Sequence, residues 1–481
     1  MIALINPWST PSPKTPLPMS LLAVGALLED EFDYAIVDGN VMPDVAGRVM
    51  QLHQRSPLLA IGVTVMPGPQ LQSALRLCRE LKARLPGVPI VWGGYFPSEH
   101  AEVCLRDAAV DYCVRGQGER SFLELMRVLA RGGSLDGISG LSFRHGGSAC
   151  HNPSGSLFPL DELPMYPYHR LEMDRYFHQH YLGDRVGAHH SSYGCPHACS
   201  FCAVVGIAKR KWVAESPDRV GSILEHFKQA YDADAVQFHD MDFFISEPRT
   251  RAIADRIEGL GLTWWALGRV DELMRYRAAT WEAMKRSGLK MVFCGAESGS
   301  TETLTHMNKG GTATAEMTLE LAGRMKSFGV VPEFSFVVGH PPDPEGDLAQ
   351  TLAFVRQVKR INPAAEIILY VYSPVAAASK TFAFPESLDE WVSERWQSFS
   401  LRRDPRTPWS PAKIRRRVRN FETVLNAYYP TVTDLRLTRW RRGLLRAAAS
   451  WRYHSGAESR PFELNLLQRV FHYQRPETTG F

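Results

Sequence analysis

The chain has 481 residues, 44% of them hydrophobic and 22% charged, with eight cysteines and a formal net charge of +4. This is the profile of a globular protein of two or three domains, each large enough for its own core. The cysteines are too sparse for a disulfide scaffold, no apolar run reaches membrane-spanning length, and the charge alone gives no argument for nucleic acid. Met1 to Asn6 reads as a buried strand rather than a signal peptide. The expected location is the cytoplasm.

Residues 1–140 alternate short β-rich runs with amphipathic helical patterns. Strands are expected at Ile2 to Asn6, Tyr34 to Asp38, Leu59 to Thr64, Pro89 to Gly93 and Asp111 to Val114, with helices such as Met19 to Glu29, Pro69 to Arg84 and Ser98 to Arg106. That order predicts a doubly wound parallel sheet, whose ligands sit beyond the carboxyl ends of the strands. The turns there are Asn6-Pro7, Asp38-Gly39-Asn40, the run from Thr64 through Met66 to Gly68, Gly93-Gly94-Tyr95, and Gly116-Gln117-Gly118-Glu119. Glycine at several of these ends lets a large flat ligand approach the backbone, because no Cβ stands in the way. Residues 141–184, rich in Gly, Pro and Ser, read as an interdomain linker in which Gly146-Gly147 turns a small hairpin.

Three cysteines then crowd one loop, Cys195, Cys199 and Cys202, spaced C-x3-C-x2-C. Iron–sulfur clusters of four irons take four thiolates, so three in one loop leave one iron open to a chelating amine and carboxylate. The competing reading is structural zinc, with His197 or Cys294 as a fourth ligand, or plain buried thiols. From 185 to 375 the βα rhythm resumes for six units, with strands at Ala188 to Ser192, Ala235 to His239, Trp264 to Gly268, Met291 to Gly295, Pro332 to Val338 and Glu366 to Val371. Ser216-Pro217-Asp218 and Ser246-Glu247-Pro248 each supply a helix N-cap with proline in the first turn. Six units are too few to close an eight-stranded barrel. Polar residues recur at the strand ends: Asp240 and Asp242, Arg269 and Asp271, Glu297 and Ser298, then Gly339-His340.

The cysteine spacing, with Phe201 just before the last cysteine, resembles the signature of radical S-adenosylmethionine (SAM) enzymes. The proline-rich stretch Pro7 to Pro18, the Gly93-Gly94 turn and the Gly-Gln-Gly-Glu at 116–119 resemble the cobalamin-binding domain of the B12-dependent, anaerobic-cyclase-like group. Gly295 to Ser300 is similar to that group's G-I-E-S-G-S stretch, and Gly339-His340-Pro341 stands where Gly-Leu-Pro-Gly is usual. The resemblance implies an α/β chain with a Rossmann-like cobalamin domain, a partial (β/α)6 barrel open on one side, and a mainly helical region over 376–481. It implies a [4Fe–4S] cluster on Cys195, Cys199 and Cys202, and SAM near Phe201, Asp240, Asp242, Arg269, Glu297, Ser298 and Gly339. Within that SAM set, Glu297 and Ser298 would serve the ribose diol or ammonium and Arg269 the carboxylate. Cobalamin would lie on Asn6, Pro7, Asp38, Thr64, Met66, Gly93, Gly94, Tyr95, Gly116, Gly118 and Glu119. The motif D-x-H-x-x-G is missing and Asp38-Gly39-Asn40 takes roughly its place, so no motif histidine serves as lower cobalt ligand.

The activity so implied is a methyl transfer from methylcobalamin to a carbon radical made by a 5′-deoxyadenosyl radical. An oxidative cyclisation or ring rearrangement is the alternative within the group. A tRNA methylthiotransferase-like enzyme or a non-enzymatic metal-binding module is the alternative outside it. Expected partners are a small-molecule substrate, anionic or lipophilic, and an electron donor such as flavodoxin or ferredoxin, with no nucleic acid. In 376–481 the basic runs Arg402, Arg403, Arg406, Lys413 to Arg419 and Arg439 to Arg452, interleaved with Trp440 and Trp451, read as solvated helix faces or as a surface for anionic substrate or membrane headgroups.

Overall fold

Ile2–Asn6 (β1) is buried at every position, as befits the interior of a parallel sheet covered on both faces. The computed structural model describes residues 1–10, 14–309, 311–375, 383–396 and 411–473; Arg402, Arg403 and Arg406 lie outside them. Beside β1 stand β2 (Tyr34–Asp38), β3 (Ala60–Thr64), β4 (Ile90–Gly93) and β5 (Tyr112–Val114), all parallel. Helices Met19–Leu28, Val45–Arg55, Pro69–Arg84, Tyr95–Leu105 and Glu119–Arg131 alternate with them. The hairpin assigned to the linker belongs instead to this sheet: β6 (Leu141–His145) pairs antiparallel with β5, and β7 (Ser148–His151) with β6. The sheet order is therefore β2-β1-β3-β4-β5-β6-β7.

The second unit begins with β8 (Val186–His189). The single strand expected over Ala188 to Ser192 is broken: the chain turns after His189, and β9 (Ser192–Gly194) pairs antiparallel with β10 (Trp212–Ala214) to brace the cysteine loop. β11 (Ala235–Phe238), β12 (Thr263–Arg269), β13 (Leu289–Glu297), β14 (Val331–Val338) and β15 (Glu366–Val371) complete a six-stranded parallel sheet, order β15-β14-β13-β12-β11-β8. Ser216 and Ser246 cap their helices through Arg219 N and Arg249 N, 3.3 and 3.4 Å, as their sequence contexts predict.

The C-terminal region divides. Leu388, Trp391 and Trp396 join the core of the first domain, and Arg79 grips Asp389 (2.8 Å). Helix Ala412–Tyr428 instead packs on helix Pro344–Ile361 and β15, with Ile414, Val418 and Phe421 in the core of the second unit. Among the described residues no helix is long and apolar enough to cross a membrane.

Candidate active site between the two sheets

Residues 195–202 connect β9 to a short helix, Val204–Ala208. The loop is held from outside: Ser200 N donates to Met307 O (2.9 Å) and Asn308 Nδ2 to Ala198 O (2.9 Å). Cys199 is buried, Cys195 and Cys202 half-buried. Burial, with Asp242 next in effect, pushes the Cys195 thiol up to about 12, and burial pushes Cys202 up to about 11. Positive charge at the loop reverses that penalty by favouring thiolate. Arg269 supplies some already, its Nη1 lying 3.3 Å from Cys199 Sγ.

Two buried ion pairs stand behind the loop. Arg269 is gripped by Asp271 (3.0 and 3.1 Å) and donates Nη2 to Lys309 O (2.6 Å). Lys309 Nζ meets Glu297 Oε1 at 2.7 Å, and Glu297 has φ +62° where β13 slips register against β14. The Arg269 fork is thus committed to Asp271 rather than open to a carboxylate, and Glu297 is committed to Lys309. Ser298 is likewise closed off, its hydroxyl 3.3 Å from Asp347, which also accepts from Gly339 N (2.9 Å) and His340 N (3.1 Å). Asp240 accepts from Ser191 N (3.0 Å) and from the hydroxyls of Ser191 and Ser192. It fixes the broken strand and is not a free ligand. Phe201 is half-buried with Lys309 Nζ 5.9 Å from its ring centre.

Asp242 remains aimed into the site. One atom each from Asp242, Cys195 and His197 lie within 4.8 Å of one another, and His197 Nε2 meets Glu272 Oε1 at 2.7 Å. Burial and the Glu272 carboxylate push the Asp242 carboxyl well above its usual range. Cys294 is no part of this group; it packs in the core on the opposite face of β13, its thiol toward Val292 O.

The first domain brings its strand ends to the same place. Burial, the Glu99 carboxylate and Cys202 raise the Tyr95 hydroxyl, so Tyr95 stands beside the cysteine loop. Helix Tyr95–Leu105 packs on helix Val204–Ala208, and a Cβ on Gly116 would sit 3.6 Å from Ile207 O and 3.8 Å from the Tyr193 hydroxyl. Gly94 has φ +94°, and a side chain there would press on Thr64 Oγ1 at 3.1 Å. Trp8 and Met66, after β1 and β3, and Met241, after β11, are exposed. Gly118 caps helix Glu119–Arg131; Glu119 Oε2 and the Tyr193 hydroxyl are buried and unpartnered among the described residues.

Asn6 and Asp38 are committed elsewhere. Asp38 accepts from Asn6 Nδ2 (3.0 Å), Asn40 N (2.9 Å) and Tyr176 Oη (2.9 Å), while Gln70 Nε2 bridges to Asn6 Oδ1 (2.8 Å) and Pro7 O (3.4 Å). They knot the ends of neighbouring strands instead of facing outward. Thr64 accepts from Ser20 Oγ at 3.2 Å, and Gly93 leads directly into the Gly94 turn.

Residues 12–126 match the B12 binding domain family and residues 190–355 the radical SAM superfamily, together more than half of the chain. The chain belongs to the cobalamin-binding radical SAM proteins. An uncharacterized methyltransferase of Pyrococcus horikoshii is 28% identical over 345 residues, 71% of this chain and 73% of the relative. The anaerobic magnesium-protoporphyrin IX monomethyl ester cyclase of Synechocystis is 24% identical over 366 residues, 75% and 71% of the two chains. Among solved structures, the cobalamin-dependent SAM radical enzyme OxsB superposes with TM-score 0.64 at 18% identity over 76% of this chain; the match spans only 53% of OxsB. Members of this family work with a [4Fe–4S] cluster, SAM and cobalamin.

The residues present fit those groups. Three cysteines share one pinned loop beside cationic Arg269. A buried carboxylate oxygen of Glu119 and the Tyr193 hydroxyl have no partner among the described residues, and exposed apolar side chains stand at strand ends where a flat ring would lie.

Sequence reasoning missed Lys309 and Glu272, and with them His190 and His239. Gly187 and His189 face the outer core, so His190 points the other way, into the barrel, where its ring lies 6.2 Å from that of His239. Solvent reaches His190 there, yet the enclosing protein lowers its pKa to about 4 and that of His239 to about 3. Strand parity around the expected strands ending at Ser192 and His239 was the available signal.

Proposed function

We propose that the chain is a cobalamin-dependent radical SAM methyltransferase acting on a small molecule. The observation that carries this reading is the meeting of the cysteine loop with the Gly94 and Gly116 strand ends of the first domain. When bound, the cluster and SAM supply a hydrogen-abstracting radical and cobalamin supplies the methyl group.

The chain's own residues hold and insulate. Cys195, Cys199 and Cys202 bind the cluster, and Arg269 sets a positive charge against Cys199 Sγ at 3.3 Å. Asp242, paired with Glu272 and within reach of Cys195 and His197, borders the SAM position, and Phe201 offers a face to the adenine. Arg269, Glu297, Ser298, Asp240 and Gly339 position the strand ends through the contacts described. Gly93, Gly94, Tyr95, Gly116, Gly118 and Glu119, with Met66, form the cobalamin ledge, while Asn6, Asp38 and Thr64 stiffen it. His190, exposed in the barrel, offers the substrate a donor or an acceptor, with the His239 ring 6.2 Å away. We place the enzyme in the reducing cytoplasm, where its eight unpaired cysteines persist, with an external one-electron donor such as flavodoxin or ferredoxin.

The first domain's own cysteines do not form a second cluster site. Cys78, Cys104 and Cys113 are buried in its hydrophobic core, which disfavours the methylthiotransferase reading. The test is anaerobic reconstitution with iron, sulfide and hydroxocobalamin, followed by SAM carrying a labelled methyl and a reductant. Methyl transfer to the corrinoid with release of S-adenosylhomocysteine is the expected result. Bound corrinoid that never takes up label points to the cyclase-like alternative, and zinc without labile sulfide refutes the assignment altogether.

A further inference from the structure

Helices Arg439–Ser455 and Phe462–Phe471 form an antiparallel hairpin at the C-terminal end of the described chain. Trp440 packs edge-on against Phe471 at one end (5.9 Å), Arg452 holds Glu463 at the other (3.0 Å), and Leu445 packs with Leu467 between them. On the helical period, Trp440, Leu444 and Trp451 share one stripe of the first helix, and Phe462, Leu466 and Val470 share one stripe of the second. Each stripe is turned by about 100° from its helix's contact with the other. Because the helices run in opposite directions, the two rotations bring both stripes to the same side of the hairpin, away from the core residues Ala449 and Tyr453. All six side chains are 46–70% exposed.

This concentration is unlike the rest of the surface. Of the eleven exposed large apolar side chains among the described residues, seven lie between Leu435 and Val470. The same segment is strongly cationic: residues 436–472 hold eight arginines, two glutamates and no lysine or aspartate. Both glutamates are spent internally, Glu463 on Arg452 and Glu458 on Arg356 (2.7 Å). Arg436, Arg439, Arg460 and Arg469 are exposed along this segment, Arg469 beside the Phe462–Leu466–Val470 stripe, while Arg446 lies over the Tyr428 ring on the other side of its helix. Arg446 and Arg442 also line an open cavity of about 270 Å³ with Tyr428 and Tyr429.

Charge decides what such a face can meet. A second copy docked through it would bring arginines against arginines, and a nucleic acid would satisfy the arginines while leaving Leu444, Leu466 and Val470 in water. An anionic bilayer satisfies both: tryptophan and aliphatic side chains enter the headgroup boundary while arginines stay level with the phosphates. We propose that the hairpin is a peripheral membrane-binding surface that lays this enzyme on an anionic lipid leaflet, independently of the chemistry it performs.

The test is co-sedimentation of the full chain with phosphatidylcholine vesicles containing phosphatidylglycerol, against phosphatidylcholine alone, read together with tryptophan emission. Binding confined to the anionic vesicles, a blue shift, and weakening by salt are expected. The triple change Trp440→Ser, Trp451→Ser, Phe462→Ser should lower the partition coefficient at least about tenfold, as should Arg460→Gln with Arg469→Gln. These positions are exposed, and an unchanged circular dichroism melt checks that each variant folds. Failure of the native chain to bind anionic vesicles overturns the proposal, as does full binding by the folded apolar triple. Vesicle-free dimerisation that the triple abolishes assigns the face to a second copy and overturns it equally.

Discussion

Replacing Lys309 with Met tests whether the cysteine loop rests on a buried charge pair. Lys309 and Glu297 have side-chain exposures of 6% and 8% and meet at 2.7 Å. At an effective dielectric of about 20 their attraction is about 6 kcal/mol, most of it offset by desolvation of both groups. Removing only the lysine leaves Glu297 buried with no counter-charge, a change that costs about 3–5 kcal/mol. In a unit of this size that lowers the melting midpoint by roughly 10 °C. The assay is thermal and urea unfolding of the metal-free protein followed by circular dichroism. Adding Glu297→Gln to Lys309→Met removes the stranded charge and should recover more than half of the loss. A single-variant loss below about 1 kcal/mol, or a double variant whose loss equals the sum of the two singles, refutes the reasoning.

Cys195→Ala, Cys199→Ala and Cys202→Ala should each abolish 5′-deoxyadenosine formation after reconstitution, whereas Cys294→Ala, remote on the outer face of β13, should retain it; chromatography of the nucleoside products decides. Gly94→Ala adds a Cβ at φ +94° against Thr64 and Val65, costing about 1–2 kcal/mol and weakening cobalamin retention, measured by absorbance after gel filtration. Burial, with Glu366 next in effect, pushes the Glu333 carboxyl up to about 8. The folded chain therefore keeps a proton that the unfolded chain releases near pH 4, and stability falls as pH rises across that window. Glu333→Gln should raise the melting midpoint at pH 8 and have progressively less effect toward pH 4. Lys359, lowered by burial to about 7, contributes an opposite slope above that pH. The comparison is therefore the variant-minus-native difference at each pH, and a difference that does not change with pH contradicts the assignment.

The cysteine trio was readable because all three thiols lie within eight consecutive residues, and the strand-end turns because Gly and Asp mark the chain locally. What was not readable were the partners. Arg269 and Glu297 stood out as charged strand ends, and Asp271 stood two residues from Arg269, but nothing near Glu297 in sequence announced that Lys309 occupies it. Lys309 arrives from a loop after the short helix Thr301–His306. Asp240 looked like a ligand because it ends a strand; its true neighbours, Ser191 and Ser192, lie 49 and 48 residues earlier. The hairpin at 141–151 was misassigned for a similar reason. Gly146-Gly147 signals a turn, but membership of the first sheet depends on pairing with Tyr112–Val114, which local composition does not encode.

The seam at Gly206 bears on how such an enzyme diversifies. A methyl group at that position would collide with the Glu99 carboxylate reaching across from the first domain. That hydrogen leaves room for the Glu99 side chain, and the packing of helix Tyr95–Leu105 on helix Val204–Ala208 sets how close the two cofactor-bearing halves come. The gap across which a methyl group must travel is consequently a property of the scaffold and not of whichever molecule is being modified. Loops and C-terminal helices are then free to change with new substrates while the span between donor and radical stays constant.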